Sequence, residues 1–316
     1  TEQSIKEKEK MSKRESLYLI NKFAQKQFSD NLWEFSEGIA IGLTYLRERG
    51  FSDHIIRFFG LGYASKQSDH FFKLASKAGY SEKYIIETGL LIKNERGKAD
   101  RFRGRVIFPI RSMAGRVQGF GGRILSSSLN TAKYLNSPES DIYHKSQILF
   151  GIYESKKTIA QEDVCYLVEG YTDVIQMHQK GIENVVSSSG TALTSEQIRL
   201  IRRLTSNIVI LFDGDAAGLR AAIRGIDLIL EQSMNVRICS FPEGEDPDSF
   251  AKSNSSEQIK IYLREHSKDF IQFKTDLLLE EAANDPVKKA TKIREIVQSI
   301  SRIPDVIKQE IYIREC

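Results

Sequence analysis

The sequence predicts an α/β protein in three parts. These are a basic α+β N-terminal subdomain over residues 1–145, a mostly parallel α/β sheet over 146–255, and a helical subdomain over 256–316. Three observations carry this expectation. From Ile148 onward, short β-branched runs alternate with segments of helical period, the pattern of parallel strands joined by crossover helices. The run Ile208-Val-Ile-Leu-Phe212 is apolar throughout, as a strand buried on both faces must be. Before Gly89 and after Phe250 the apolar positions recur at helical spacing instead.

Residues 1–15 are rich in Lys and Glu and read as a frayed helix or linker. From Leu17 to about Arg49 the pattern is helical, with Leu17, Ile20, Phe23 and Ala24 on one face, and Gly50 is the expected C-cap. Ser52-Asp53 should cap a short helix to Phe59. Ser68–Ala78 and Ser81–Thr88 read as two more helices, each opened by a capping Ser. Leu90–Ile92 is a short strand or turn, and Asn94–Gly97 a hairpin-like loop. Arg103–Ile110 and Val117–Leu125 read as strands around the turn Ser112–Gly115. Lys133-Tyr-Leu-Asn-Ser-Pro-Glu139 reads as a compact polar loop.

The α/β region follows in order. Helix Ile152–Gln161 leads to strand Val164–Val168, which ends in Glu169-Gly170. Helix Thr172–Lys180, strand Val185-Val186, helix Ser195–Leu204 and strand Ile208–Phe212 come next. That strand runs into Asp213-Gly-Asp215 and a helix from Ala216 to Leu230. Strand Val236–Phe241 leads into Pro242–Asp248. Helices Ser256–Arg264, Lys268–Ala283, Pro286–Ile300 and a segment from Pro304 complete the chain, with their Lys and Arg expected on a solvated face.

Composition narrows the functional classes. The 316 residues are 41% hydrophobic, enough for real cores. No apolar run approaches the ~18 residues that span a bilayer, and no apolar h-region opens the chain. The chain begins without Met and ends on Ile313-Arg-Glu-Cys316 within a helical pattern, so a fragment of a longer protein is expected. Cys165, Cys239 and Cys316 are far apart and form no C-x-x-C, so neither a disulfide framework nor a structural zinc is expected here. A reduced, cytoplasmic protein is the simplest reading. The five His are scattered without ligand spacing, and no G-x-S-x-G motif announces a covalent serine hydrolase.

Charge is unevenly placed. Residues 1–145 hold 25 Lys and Arg against 16 Asp and Glu, a balance of +9, so with +4 overall the remainder carries −5. Residues 96–133 contain nine bases and one acid, Asp100. Arg101, Arg103 and Arg105 alternate, which on a strand places all three on one face, a spacing suited to phosphates. Phe102, Phe108 and Phe120 lie among them, as core residues or, alternatively, as base-stacking platforms. Gly119-Phe-Gly-Gly122 permits close backbone approach to a ligand or to another strand. Lys133, Asn136 and Lys145 belong to no apolar face. In the second half, acids gather where strands end: Glu169, then Asp213 and Asp215, then Asp246 and Asp248. Strand ends of a parallel sheet share one edge, and converging carboxylates favour hard divalent cations. A basic grip plus a metal site is what two-metal nucleotidyl transfer requires.

Two motifs carry a family resemblance. Glu169-Gly-Tyr-Thr-Asp173 with Asp213-Gly-Asp215 resembles the Toprim signature shared by bacterial primases, topoisomerases and some nucleases. Arg101-Phe-Arg-Gly-Arg-Val-Ile-Phe-Pro-Ile110, Gly119-Phe-Gly-Gly-Arg123, Lys133–Glu139 and Glu245-Asp-Pro-Asp248 resemble, in that order, the catalytic core of bacterial DnaG-type primases, over nearly the whole chain. The resemblance implies a DNA-dependent RNA polymerase that makes short primers on single-stranded DNA. It implies Mg²⁺ or Mn²⁺, two or more ions, held by Glu169, Asp213 and Asp215 as catalytic ligands with Asp246 and Asp248 assisting. Arg123, Lys133, Asn136 and Lys145 match positions that meet the incoming nucleotide, and Arg101, Arg103 and Arg49 would track the template. Asp173 matches a structural acid, and Thr172 stands where Met is usual. Implied partners are single-stranded DNA, ribonucleoside triphosphates and the RNA–DNA hybrid product, with no membrane and a monomeric chain. Zinc and the replicative helicase would belong to N- and C-terminal modules outside this sequence. The alternatives are a Toprim nuclease or topoisomerase-like cleavage enzyme, and a non-catalytic DNA-binding Toprim scaffold.

Overall fold

The computed structural model describes residues 2–95, 97–125, 132–190, 192–212, 216–282 and 286–315. The chain divides into two compact units, Thr1–Ile148 and Leu149–Cys316.

In the first unit, helix α1 (Glu2–Glu34) buries Leu17, Ile20, Ala24, Phe28 and Leu32 along one stripe. Its N-terminal part is helical rather than a linker. Lys13 pairs with Glu87 at 3.0 Å and Asp141 at 2.9 Å, Glu15 pairs with Arg116 at 2.7 Å, and the Arg116 guanidinium lies 3.7 Å from the Tyr18 ring centroid. A π-helix (Gly38–Leu43), α2 (Thr44–Glu48) and α3 (Asp53–Phe58) follow, the last capped by the Ser52 hydroxyl, which accepts from Ile55 N–H. Strand β1 (Gly62–Ala64) leads to α4 (His70–Lys77) and α5 (Glu82–Glu87).

The capping residues differ from expectation. Ser81 occupies the N-cap position of α5 without a side-chain cap bond, and Asp69 occupies that of α4. The orphan N–H groups of α4 are instead met from across the fold. Asp100 accepts from Phe71 N–H at 2.7 Å and Phe72 N–H at 3.1 Å.

Strands β2 (Leu91–Asn94) and β3 (Gly97–Asp100) form the expected hairpin. Strands β4 (Arg105–Arg111), β5 (Val117–Ile124) and β6 (Tyr134–Asn136) join β1 in an antiparallel sheet of order β1-β4-β5-β6. The segment read as a polar loop therefore begins with an edge strand, paired through Gly121↔Asn136 and Arg123↔Tyr134. Phe102, Phe108 and Phe120 are fully buried, and Phe120 meets Phe28 edge-on at 5.5 Å. They are core residues and not stacking platforms.

The second unit has a five-stranded sheet. Its elements are α6 (Ile152–Glu162), β7 (Cys165–Val168), α7 (Tyr171–Gln179), β8 (Val185–Ser187), α8 (Ser195–Arg202), β9 (Asn207–Phe212), α9 (Ala216–Glu231) and β10 (Asn235–Ser240). Then come α10 (Pro247–Ser253), α11 (Ser256–His266), β11 (Lys268–Asp269), α12 (Phe270–Ala282), α13 (Pro286–Ser301) and α14 (Val306–Glu315). The order is β11-β10-β9-β7-β8, with β10, β9, β7 and β8 mutually parallel as expected. Lys268-Asp269, read as helix, pairs antiparallel with β10 before α12 begins. Cys165 and Cys239 are buried free thiols, and burial pushes the Cys239 thiol up to about 12. Lys274 departs from the expected solvated face. It is buried and bonded to Asp227 at 3.1 Å and to the Ser299 hydroxyl. Among the described residues, no helix is long and apolar enough to cross a membrane.

Candidate active site

Each unit carries its own set of candidate side chains. In the α/β unit, β7 carries three buried apolar residues and then delivers Glu169, exposed, at its C-terminal end. The turn into α7 is fixed by Asp173, whose carboxylate accepts from Gly170 N–H at 2.8 Å. This is the structural role expected of Asp173. It locks the first turn of α7 and so the direction in which Glu169 leaves the sheet. β7 pairs directly with β9 (Cys165↔Ile208, Leu167↔Ile210). Phe212 closes β9, and Asp213 and Asp215 follow it in sequence. Asp213 and Asp215 lie outside the described residues. A hollow of about 340 Å³ at this edge is lined by Glu169, Ser188 and Arg224 among mainly apolar residues.

Asp246 and Asp248 are placed on the other side of a loop from β10, at the start of α10. Asp246 is the N-cap, accepting from Ser249 N–H at 2.7 Å. Asp248 is buried and accepts from Lys252 at 2.7 Å. Both carboxylates thus have intramolecular work that the sequence pattern did not reveal. Lys252, four residues beyond Asp248, was the available signal. Among the described residues, no group of three His, Cys, Asp or Glu is arranged to hold a metal ion.

In the first unit, Arg123 sits on β5 with its guanidinium 5.3 Å from the ring centroids of both Tyr45 and Tyr134, and it donates to the Tyr134 hydroxyl at 2.8 Å. Burial raises the Tyr45 phenol, and the positive charges of Arg123 and Arg49 oppose that rise. Tyr45, in α2, therefore brings Arg49 and Arg123 to one ring. It was missed in the sequence, where an isolated Tyr in an amphipathic helix reads as packing. Asn136 lies on β6, and its carbonyl accepts from Arg101 at 3.2 Å. Lys133 is exposed just before that strand. Lys145 opens a 3₁₀ turn (Lys145–Gln147), its N–H bonded to Glu139 at 2.9 Å. Burial pushes the Glu139 carboxyl up, but the Lys145 N–H and His144 bonds outweigh it and hold it below the usual range.

The alternating arginines do not share a strand face. Arg101 and Arg103 lie in a turn before β4, and only Arg105 is in the strand. Arg105 is 4% exposed, and its guanidinium bonds the carbonyls of Gly122, Ala132 and Lys133 at 3.1–3.3 Å. It braces β5 and the approach to β6, leaving Arg101 and Arg103 as the candidate phosphate contacts. The Gly119-Phe-Gly-Gly122 run serves internal packing. A Cβ at Gly119 would stand 2.4 Å from the Tyr143 ring, and one at Gly122 2.7 Å from Phe102.

A carboxylate at the end of a parallel strand, a capped Gly turn and a following helix define a Toprim-type domain. A family model described as Toprim-like matches residues 166–251, and one described as DNA primase catalytic core, N-terminal domain, matches 28–156. The chain belongs to the family of DnaG-type DNA primase catalytic cores. It superimposes on a DNA primase domain from Pseudomonas aeruginosa with a TM-score of 0.86 and 33% identity, over 95% of this chain and 94% of that one. A DnaG primase catalytic domain bound to ssDNA matches with TM-score 0.84 and 31% identity over 96% and 98%. The DNA primase of Clostridium acetobutylicum is 37% identical over 315 residues, 98% of this chain and 50% of the relative. That of Halalkalibacterium halodurans is 37% identical over 304 residues, 95% and 50%. The chain spans about half the length of the curated relatives it matches.

Proposed function

We propose that this chain is the RNA-polymerase core of a primase, joining ribonucleotides into short primers on single-stranded DNA. The observation that carries the reading is the placement of Glu169. It is an exposed carboxylate at the end of an interior parallel strand, beside the strand that Asp213 and Asp215 follow.

Glu169, Asp213 and Asp215 offer hard oxygen donors, the chemistry that Mg²⁺ or Mn²⁺ accepts. Such ions, when bound, lower the pKa of the attacking hydroxyl and stabilise the leaving oxygen. The catalytic set is Glu169, Asp213 and Asp215, with Asp246 and Asp248 assisting at a further ion: Asp246 Oδ1 serves the α10 cap and Asp248 Oδ2 the Lys252 pair, and a carboxylate has a second oxygen to offer a cation. Arg123, braced between two tyrosines, and Lys133, Asn136 and Lys145 are assigned to the incoming ribonucleoside triphosphate. Arg49, Arg101 and Arg103 are assigned to template phosphates. The RNA–DNA hybrid is the product, and a replicative helicase is a partner of the longer protein, through sequence outside this chain.

The test is incorporation of labelled ribonucleotides on single-stranded DNA with Mg²⁺ or Mn²⁺, the unaltered chain beside Asp213→Ala. We expect short RNA products that the variant fails to make while keeping its thermal transition. Equal synthesis by Asp213→Ala would sink the assignment. Nicking of supercoiled plasmid without incorporation would turn it toward the cleavage reading.

A further inference from the structure

α10 (Pro247–Ser253) has seven residues, and isolated helices shorter than ~12 residues are marginal in water. Its place therefore depends on what surrounds it. Asp246 caps it and Asp248 lies in its first turn, so whatever fixes α10 also fixes those two carboxylates. Polar contacts hold it at its start, its side and its end. At the start, Asp246 accepts from Ser249 N–H at 2.7 Å, and the Ser249 hydroxyl accepts from Asp246 N–H at 2.9 Å. Along the side, Lys252 donates to Asp248 at 2.7 Å. At the end, Lys180 Nζ donates to the carbonyls of Asn254 at 3.1 Å and Lys252 at 3.4 Å.

Lys180 belongs to neither motif. It closes α7 (Tyr171–Gln179), the helix that opens two residues after Glu169. α7 is buried from Tyr171 to His178 and packs along α10, and Asp173 locks its first turn to Gly170. The turn after Lys180 meets the chain just beyond α10. Gly181 has a φ of +79°, and a Cβ there would stand 3.2 Å from the Ser256 hydroxyl oxygen. The end of α7 is thus seated against the end of α10 by both backbone and side chain.

The last carbonyls of a helix lack intrahelical donors and carry the negative end of its dipole, so an ammonium group is favoured there. Here the helix that follows Glu169 supplies that ammonium to the helix that carries Asp246 and Asp248. Lys252 extends the connection, because its carbonyl takes the Lys180 bond while its own ammonium takes Asp248. Phe250 also anchors α10, its ring 5.1 Å from Phe241 and 4.6 Å from Tyr262. Apolar packing is non-directional, so the polar bonds at the two ends decide where the carboxylates point. Groups that orient the ligands of a metal tune its affinity without touching it. We propose that Lys180 is a positioning residue: by tying the end of α10 to the end of α7, it sets the placement of Asp246 and Asp248 relative to Glu169, and with it the affinity for the further ion. The inference rests on the assignment of Asp246 and Asp248 to that ion.

Mn²⁺ titration followed by electron paramagnetic resonance, without nucleotide or template, reads the ions directly. The unaltered chain should bind more than one Mn²⁺, and Asp248→Asn should weaken one of them and spare the rest. Lys180→Met, which keeps much of the side chain and removes its charge, should weaken that same ion several-fold. Lys180→Gln, which keeps a donor, should weaken it less, and Lys180→Arg should restore it. Lys180→Met combined with Asp248→Asn should bind no more weakly than Asp248→Asn alone, since effects that pass through one group are not additive. A lowered thermal transition with unchanged Mn²⁺ affinity in Lys180→Met and Lys180→Gln would make Lys180 a structural residue and overturn the inference. Additive losses in the double variant, or equal weakening of every ion, would overturn it as well. Full binding of every ion by Asp248→Asn would remove the further ion and this inference with it, while leaving the catalytic set, which ribonucleotide incorporation by Asp213→Ala tests separately. Absence of Mn²⁺ binding by the unaltered chain would overturn both.

Discussion

Asp100 is the single acid among nine bases in residues 96–133, and the structure spends it on the N-terminus of α4 rather than on any of them. Burial raises its carboxyl to about 6, although the N–H bonds of Phe71 and Phe72 pull the other way. A folded-state pKa above the unfolded value of ~3.9 means that the native state binds the proton more tightly. Stability from this group is therefore full below pH ~4 and is lost as pH rises through 6, by an amount on the order of 2 kcal/mol. Urea unfolding at pH 4.5 and 7.5 should show this loss in the unaltered chain and a flatter profile in Asp100→Asn. A profile as steep in the variant would assign the pH dependence elsewhere. Tyr45 sets a second expectation. Its ring and that of Tyr134 each lie 5.3 Å from the Arg123 guanidinium, within the range of cation–π attraction. Tyr45→Phe should keep the apparent KM for ribonucleotides within about two-fold. Tyr45→Ala should raise it about 2- to 30-fold, the equivalent of 0.5–2 kcal/mol, with kcat less affected. Equal KM values in steady-state assays of the two variants would remove Tyr45 from the positioning of Arg123.

Between α1 and α2 the chain runs through a π-helix, and that element sets where Tyr45 and Arg49 fall. The Thr44 N–H reaches back to Ile39 O, and a Cβ at Gly38 would stand 1.8 Å from Asn31 O. Gly38→Ala must push two backbone segments apart, at about 3 kcal/mol, whereas Gly50→Ala meets no neighbour within 4 Å and loses only the φ of +86° that glycine tolerates, about 1 kcal/mol. Thermal unfolding should rank the two variants in that order, and a smaller loss for Gly38→Ala would mean that the π-helix relaxes. Nothing in Gly38-Ile-Ala-Ile-Gly-Leu43 announced an extra residue per turn, and the approach of Gly38 to the Asn31 backbone is a tertiary contact that local propensity does not encode. The same reason separates what was legible from what was not. The strands of the second unit were readable because burial on both faces demands unbroken apolar runs. β6 and β11 were not, because Tyr134–Asn136 and Lys268-Asp269 become strands only through the partners β5 and β10. Alternation of Arg101, Arg103 and Arg105 suggested a strand face. The turn before β4 and the buried bonds of Arg105 divide the three by function instead.

At the scale of the molecule, residues 1–145 carry a balance of +9 and the remainder −5, a division that the proposed function reads as grip in one part and chemistry in the other. Glu169 was singled out in sequence because strand ends are where a parallel sheet presents ligands, and it stands exposed at the end of β7. The basic set was singled out because residues 96–133 hold nine bases against one acid. If grip and chemistry are divided in this way, removing divalent ions should separate them. Holding a single-stranded oligonucleotide relies on Arg and Lys contacts, whose strength depends on salt and not on a bound metal. On the proposed reading, joining nucleotides would rely on cations at Glu169, Asp213 and Asp215. Chelation with EDTA at constant ionic strength should therefore abolish ribonucleotide incorporation while leaving oligo-dT affinity within about two-fold. Raising salt from 50 to 200 mM should instead weaken binding steeply, by roughly one to two orders of magnitude if three or so phosphates are neutralised. Return of Mg²⁺ or Mn²⁺ should restore incorporation without a matching change in affinity. A fall in affinity that tracks EDTA would mean that ions at the carboxylate edge bridge to the nucleic acid backbone. The acidic unit would then share the grip, and the division of labour drawn from the charge distribution would be wrong.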